Sequence, residues 1–264
     1  MELGLRGKVA LVAASTEGLG FATAKALAAE GARVWIGSRD ASKVTAALGR
    51  LRGEVPGASV EGAVLDVTDS GSIAAWVRSA AEAFGEGIDA LVVNSGGPKP
   101  GLFADLDDAA WSGAFDLLVM SAVRLVRTSL PGLSARGGAV LVCSSTSVKE
   151  PIDGLLLSNS LRSATVAMAK TLSVELAPKG IRVNCLAPGR FATGRVERLD
   201  KATAERKGTS VEEARSRALA SIALGRYGEP DEFGEAACWM LSPAASFLTG
   251  QVVALDGGQL KGSW

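Results

Sequence analysis

The chain reads as a doubly wound α/β fold, a parallel sheet covered by helices on both faces. Three observations predict it. Short runs such as Val9 to Ala13 and Ala139 to Cys143 are too uniformly apolar to alternate in and out of a half-solvated sheet. Longer helical patterns separate these runs, the rhythm of strand, helix and parallel strand. No repeat, low-complexity tract or Pro/Gly/Ser linker divides the 264 residues, so one domain is expected.

The elements follow in order. Val9 to Ala13 is a buried-strand run that leads into a glycine-rich turn. An Ala-rich helix from Phe21 to Glu30 stops at Gly31, a residue suited to a helix C-terminus. Arg33 to Gly37 forms the next strand, and Asp40 is placed to cap a helix running to about Arg52. Strands recur at Val60 to Leu65, Ile88 to Val93, Ala139 to Cys143, Ile181 to Leu186 and Gln251 to Leu255. Two long helices, Trp111 to Leu130 and Ser158 to Leu176, are more apolar than one buried face requires. The stretch from about Arg190 to Arg217 breaks the rhythm. It is dense in charge and follows a strand end, where such folds bind ligands. Two readings stay open for it, a solvated helical pair or a lid over a substrate.

Composition removes several classes of function. Twenty-eight basic residues balance 28 acidic ones, with no basic block, which disfavours a nucleic-acid surface or an anionic-membrane anchor. There is no His, so imidazole metal sites, Ser–His–Asp triads and imidazole acid–base chemistry are excluded together. Cys143, Cys185 and Cys238 are scattered and suggest neither a disulfide framework nor a zinc site. The N-terminal apolar stretch is too short to span a bilayer and lacks a signal-peptide pattern, so a reduced cytoplasmic location is expected. Tyr227 is the single tyrosine.

After the first strand the chain runs Ala13-Ala14-Ser15-Thr16-Glu17-Gly18-Leu19-Gly20 into a helix. A strand that delivers the chain onto a helix N-terminus presents free backbone N–H groups and the positive end of the helix dipole, a seat for a pyrophosphate. Gly18 and Gly20 let the backbone approach phosphates and the helix pack on the sheet. Two glycines at such a junction also fit a tight turn with no ligand.

Taken with the rest of the chain, this turn resembles that of the short-chain dehydrogenase/reductase superfamily, T-G-x-x-x-G-x-G, with Ala13 and Ala14 at its first two positions. Leu65-Asp66-Val67 matches that family's adenine-contacting pair, and Asn94-Ser95-Gly96-Gly97 stands where it has N-N-A-G. Arg182-Val183-Asn184 and Pro188-Gly189-Arg190-Phe191-Ala192-Thr193 match V-N and P-G-x-x-x-T stretches. Gly225 to Pro230, Thr249-Gly250-Gln251 and Asp256-Gly257-Gly258 match C-terminal signatures. The resemblance spans essentially the whole chain and implies a seven-stranded Rossmann-like sheet. It also implies a nicotinamide dinucleotide held by Ala14, Ser15, Glu17, Gly18, Leu19, Gly20, Ser38, Arg39, Asp66, Val67, Asn94, Gly96, Arg162, Pro188, Gly189, Phe191 and Thr193.

At the end of the second strand Ser38 replaces the carboxylate that usually meets the ribose diol of NAD, and Arg39 is placed to pair with a 2′-phosphate. NADP(H) is therefore expected over NAD(H), although Glu17 stands where NADP-preferring relatives often carry a basic residue. In the resembled family, carbonyl reduction uses a tyrosine as proton donor, a lysine four residues later, a serine at a strand end and an asparagine in the interface helix. Ser145 fills the serine position. The tyrosine position, thirteen residues on, is Ser158, the lysine position is Arg162, and the asparagine position is Leu118. Three of four functional positions thus depart from the pattern.

A serine hydroxyl is a poor substitute for a phenol with a pKa near ~10. Arg162 stays protonated at neutral pH and can act only by stabilising charge on a carbonyl oxygen. Ser158 and Arg162 are i and i+4 on one helix and can face one cleft. Other readings stay open: Arg162 as a salt bridge or ribose anchor, Ser145 as a cap on nearby backbone, and Lys149 and Arg190 as surface residues rather than cleft groups. The L-S-N-x-x-R stretch resembles a divergent branch often labelled oxoacyl-carrier-protein reductase-like. The expected function is NAD(P)-dependent hydride transfer to or from a small carbonyl or alcohol substrate. The alternative is a dinucleotide-binding sensor or assembly subunit with little catalysis. The resemblance further implies a homotetramer, or at least a dimer, through the two long helices. The tail from Leu255 to Trp264 is expected near an interface or the cleft mouth.

Overall fold

A computed structural model describes residues 2–85 and 87–262. Seven strands form one parallel sheet in the order β3-β2-β1-β4-β5-β6-β7. They are β1 (Val9–Val12), β2 (Arg33–Ser38), β3 (Val60–Val64), β4 (Ala90–Val93), β5 (Ala139–Cys143), β6 (Arg182–Pro188) and β7 (Val252–Leu255). The register is direct, with Val12 beside Ile36 on one side and beside Val92 on the other. Both faces are covered. Ala10, Val12, Val34 and Ile36 pack under helices α1 (Gly18–Ala29), α2 (Ala41–Glu54) and α9 (Pro230–Leu241). Val9, Leu11, Trp35 and Leu91 pack under α3 (Ser70–Phe84), α5 (Ser121–Arg136) and α6 (Leu156–Glu175). Alternate residues of β1 therefore enter different cores while all are buried, which is why its sequence shows no polar alternation.

Two boundaries differ from the sequence reading in ways that bear on the site. Helix α1 starts at Gly18 rather than Phe21, so both glycines of the turn lie within its first turn. The helix expected from Trp111 to Leu130 is longer and interrupted. It comprises α4 (Asp108–Phe115), one π-helical turn at Asp116–Met120, and α5, which continues through Pro131. That composite helix is long and apolar enough to cross a membrane by length and composition; here it lies against the sheet and α6. The charged stretch after β6 is a helical pair, α7 (Gly194–Lys207) and α8 (Val211–Ala220).

Sheet order reverses between β1 and β4, so their C-terminal ends open a crevice, the position at which doubly wound sheets bind ligands.

Candidate active site

The turn after β1 is built from backbone geometry and one buried hydroxyl. Ala14 has φ of +48°, the left-handed conformation a glycine would take without strain. Ser15 is fully buried; its hydroxyl donates to the Val12 carbonyl at 2.6 Å and accepts from the Gly37 amide at 3.1 Å, while its own amide donates to the Gly37 carbonyl. Ser15 thus ties β1 to β2 rather than offering its hydroxyl to a ligand. Asn94, at the end of β4, donates from Nδ2 to the Ala14 carbonyl at 3.0 Å and fixes the turn from the other side. Gly20 has no room for a side chain, since a Cβ there would stand 2.4 Å from the Ala14 carbonyl oxygen.

Helix α1 opens from this turn without a side-chain cap at Glu17 and without an acidic residue in its first turn. Four other helices do carry a side-chain cap: Asp40 caps α2, Asp69 caps α3, Asp107 caps α4 and Ser210 caps α8. The open amides and uncompensated dipole of α1 suit a pyrophosphate. Gly18, with φ of +57°, lies beside Thr193, whose Cγ2 would stand 3.6 Å from a Cβ on that glycine. Thr193, the residue preceding α7, is thereby brought over the phosphate turn.

At the β2 edge, Ser38 is the last strand residue and Arg39 is exposed. Asp66 accepts from the amide and hydroxyl of Thr68 at 2.9 and 2.7 Å; these bonds, and the nearby Arg39 charge, hold its carboxyl below the usual range. Val67 is buried in the core. Sequence reasoning overlooked Lys43, which sits 3.8 Å from the Glu17 carboxylate and offsets its charge. Its signal was present, since Lys43 lies three residues past the Asp40 cap and so in the first turn of α2, facing the phosphate turn.

The P-G-x-x-x-T stretch divides its duties. Pro188 ends β6, and the Gly189 amide donates to the Leu255 carbonyl, with Asp256 so close that a Cβ on Gly189 would meet it at 2.8 Å. Phe191 is buried, with its ring edge-on to Phe233 at 5.7 Å, so it anchors the segment. Arg190 is committed to Asp200. The Tyr227 hydroxyl donates to the same carboxylate at 2.8 Å. Burial, then that hydrogen bond, push the Tyr227 phenol up from its ordinary value. The single tyrosine therefore pins α7 to the body of the domain. The Leu255–Trp264 tail packs, as far as residue 262, against the end of α8: the Leu224 amide donates to the Gly257 carbonyl, and Gln259 donates to the Ser221 hydroxyl. Ser263 and Trp264 lie outside the described residues.

The chemical end of the crevice lies beyond β5. Ser145 is half-buried and its hydroxyl accepts from the Ser147 amide at 3.1 Å, so the capping duty is real, with the hydroxyl's own proton left over. Arg162 reaches from α6 and donates from Nη1 to the Cys143 carbonyl at 2.8 Å. Among the described residues no carboxylate meets it, so the ion-pair reading is not what the structure shows. Burial, and secondarily the charge of Arg195, lower its pKa to about 10, which leaves it cationic at neutral pH. Burial pushes the adjacent Cys143 thiol up to about 12, so this cysteine is a protonated strand residue. Ser158 is 3% exposed on the same helix. Leu118 lies in the π-helical turn and lines a small cavity with Asn94, Ser95, Ser121, Arg162 and Thr165. Lys149 is exposed. The arrangement offers one fixed guanidinium and one hydroxyl at the end of β5, in the crevice that the glycine-rich turn after β1 also borders.

Such a sheet, turn and strand-end constellation defines a dinucleotide-dependent enzyme of the Rossmann class. A family model described as Enoyl-(Acyl carrier protein) reductase matches residues 13–259. The human protein "Dehydrogenase/reductase SDR family member 4" is 36% identical over 96% of this chain and 88% of its own length. The L-sorbose reductase of Gluconobacter frateurii, solved with NADPH and L-sorbose, superposes with a TM-score of 0.92 at 30% identity, over 99% of this chain and 100% of that one. An NADPH-bound short chain oxidoreductase from Pseudomonas aeruginosa, described as containing an atypical catalytic center, superposes with a TM-score of 0.89 at 29% identity, over 98% and 99% of the two chains. The chain belongs to the short-chain dehydrogenase/reductase family and is an NAD(P)-dependent oxidoreductase acting on small molecules. A catalytically silent sensor is not the reading these relatives favour.

Proposed function

We propose that this enzyme interconverts a carbonyl and its alcohol with NADP(H) preferred over NAD(H), with Ser145 and Arg162 polarising the substrate oxygen and with Ser158 and Arg162 at the positions of the family's tyrosine and lysine pair. The bound nicotinamide supplies or accepts the hydride. The observation that carries the reading is the Arg162 guanidinium, held by the Cys143 carbonyl at 2.8 Å so that its remaining N–H groups are free to meet a substrate oxygen beside Ser145. Ser145 orients that oxygen with its remaining hydroxyl proton. Ser158, or water reaching the same space, completes proton transfer.

NADP(H) preference is supported by the absence of a carboxylate at Ser38 and by two basic side chains, Arg39 and Lys43, at the start of the following helix. The α7–α8 pair serves as a lid. Arg206 supports this, since its guanidinium rests on Gly154, in the loop beyond β5, and donates to the Asp153 carbonyl at 3.5 Å. The composite helix α4–α5 and helix α6 carry a homotetramer or at least a dimer, with exposed Phe115 and Val174 among the side chains to be covered. A reducing cytoplasm suits three cysteines that are buried and unpaired.

The decisive experiment compares wild type with Arg162→Ala. NADPH and NADH are titrated by fluorescence, and turnover is followed with a panel of ketones. Arg162→Ala is expected to keep NADPH binding while losing roughly 10²–10³ in kcat, the scale of removing one preorganised donor to a developing oxyanion. Turnover unchanged in that variant, or NADH bound more tightly than NADPH, overturns the corresponding part of the proposal.

A further inference from the structure

Helix α7 rests on a glycine near each end, and the two seats differ. At its C-terminal end Arg206 lies where a Cβ on Gly154 would be and finds a carbonyl partner on Asp153. At its N-terminal end the Arg195 guanidinium sits against Gly97, filling the space a Cβ there would occupy. Among the described residues, no hydrogen bond or ion pair to Arg195 accompanies that contact. Gly97 closes the Asn94–Gly97 loop after β4, whose Asn94 and Ser95 line the cavity that Arg162 also lines. Two guanidiniums thus flank one loop of the crevice, near enough for the charge of Arg195 to bear on Arg162.

That is an unusual disposition of charge. Arg195 is half-buried, and burial, with the charge of Arg198 added, lowers its pKa. A cation withdrawn from water needs a partner to offset the desolvation. Of the carboxylates on its own helix, Asp200 is already bonded to Arg190 and Tyr227, and among the described residues no ion pair joins Glu197 or Glu205 to Arg195. Arg182, also partly withdrawn from water, is satisfied by the carbonyls of Met240, Leu248 and Ser242. Arg195 is held in the crevice without such bonds, and a flat guanidinium suits bidentate binding of an oxyanion.

We infer that Arg195 is an anion-binding residue of the active-site cleft, donated by the lid, which engages an oxyanion carried by the cofactor's pyrophosphate or by a carboxylate on the substrate. The inference rests on the lid and cofactor reading above, yet it can be tested without turnover.

The experiment compares full-length wild type, Arg195→Gln and Arg195→Lys by calorimetry and thermal shift. ADP-ribose, which carries the pyrophosphate without nicotinamide, probes the first source. For the second, 2-oxobutanoate is compared with its methyl ester on the NADPH-loaded protein. Loss of about tenfold or more in ADP-ribose affinity in Arg195→Gln, restored at least in part by Arg195→Lys, supports the pyrophosphate as partner. ADP-ribose affinity unchanged, with loss of a wild-type preference for the acid over its ester, supports the substrate carboxylate. Both readouts within about twofold of wild type in Arg195→Gln, or Arg195→Lys as weak as Arg195→Gln, overturn the inference. Should ADP-ribose bind in an Arg195-dependent way while no ketone is reduced, the proposed reaction falls and this inference stands.

Discussion

Replacing Gly20 by Ala tests the phosphate turn most directly. A Cβ at this position would stand 2.4 Å from the Ala14 carbonyl oxygen, 2.8 Å from Asn94 Nδ2 and 3.0 Å from the Ser15 Cα. None of these neighbours is the free end of a flexible side chain, because Asn94 is itself bonded to Ala14. Restoring ordinary contact requires a displacement of roughly 1 Å between the start of α1 and the turn. Overpacking of that kind costs ~1–3 kcal/mol, and breaking the Asn94–Ala14 bond costs ~0.5–1.5 kcal/mol. The better helix propensity of Ala returns up to ~1 kcal/mol. The expected net loss is ~0.5–4.5 kcal/mol, centred on ~2 kcal/mol, and for a chain of this size the central value lowers Tm by roughly 4–8 °C.

Because the amides at Gly18 to Gly20 move with the helix, NADPH affinity falls with stability. Gly18→Ala is the control. Its φ of +57° strains an alanine by ~1–2 kcal/mol, but the Cβ would meet Thr193 at an ordinary 3.6 Å. It should therefore destabilise while retaining more of the affinity for NADPH. Circular dichroism melts and calorimetric titration read both quantities. A Gly20→Ala protein melting within about 1 °C of wild type and binding NADPH equally well would refute the cradle geometry.

Other outcomes follow from the same contacts. Tyr227→Phe removes a buried 2.8 Å bond to Asp200 and should cost ~1–3 kcal/mol in stability, while kcat stays within a few-fold of wild type. A collapse of kcat by two orders of magnitude, with the protein folded, would show that this tyrosine does chemistry after all. Two bonds from Arg226, and one from the Glu229 amide, depress the Glu232 carboxyl from 4.5 to about 2. A depressed carboxylate stabilises the fold above pH 4.5 and loses that contribution as pH falls from 4.5 through about 2. Carboxyl carbon NMR should show the low titration midpoint in wild type and its return toward 4.5 in Arg226→Ala. Light scattering at micromolar concentration should find a tetramer or dimer; a monomer alone would remove α4–α5 and α6 as a subunit contact.

Much of the architecture was legible in order along the chain. A strand buried on both faces has no polar positions, so apolar runs such as Val140 to Val142 stand out against the helices between them. The uncapped start of α1 was visible as Gly18 and Gly20 after a strand. The missing tyrosine was evident from a count of one, and the structure assigns that one residue to Asp200. Less legible were the duties of side chains inside a recognised motif. Phe191 and Val67 belong to the matched stretches, yet their side chains serve the core. Ser15 spends its hydroxyl on the strands.

The sequence by itself determined the layered fold, the glycine-rich turn onto α1 and the absence of a tyrosine thirteen residues after Ser145, because each depends on residue type at short spacing. Only the tertiary structure decided what each charge faces. Arg162 is aimed by a carbonyl nineteen residues away, Arg190 and Tyr227 share one carboxylate of α7, and Arg195 settles on a glycine from another strand end. An arginine reads alike on paper whether it is solvated, paired or withheld from a partner. Which of these holds depends on dielectric and neighbours, and these exist once distant segments are packed together.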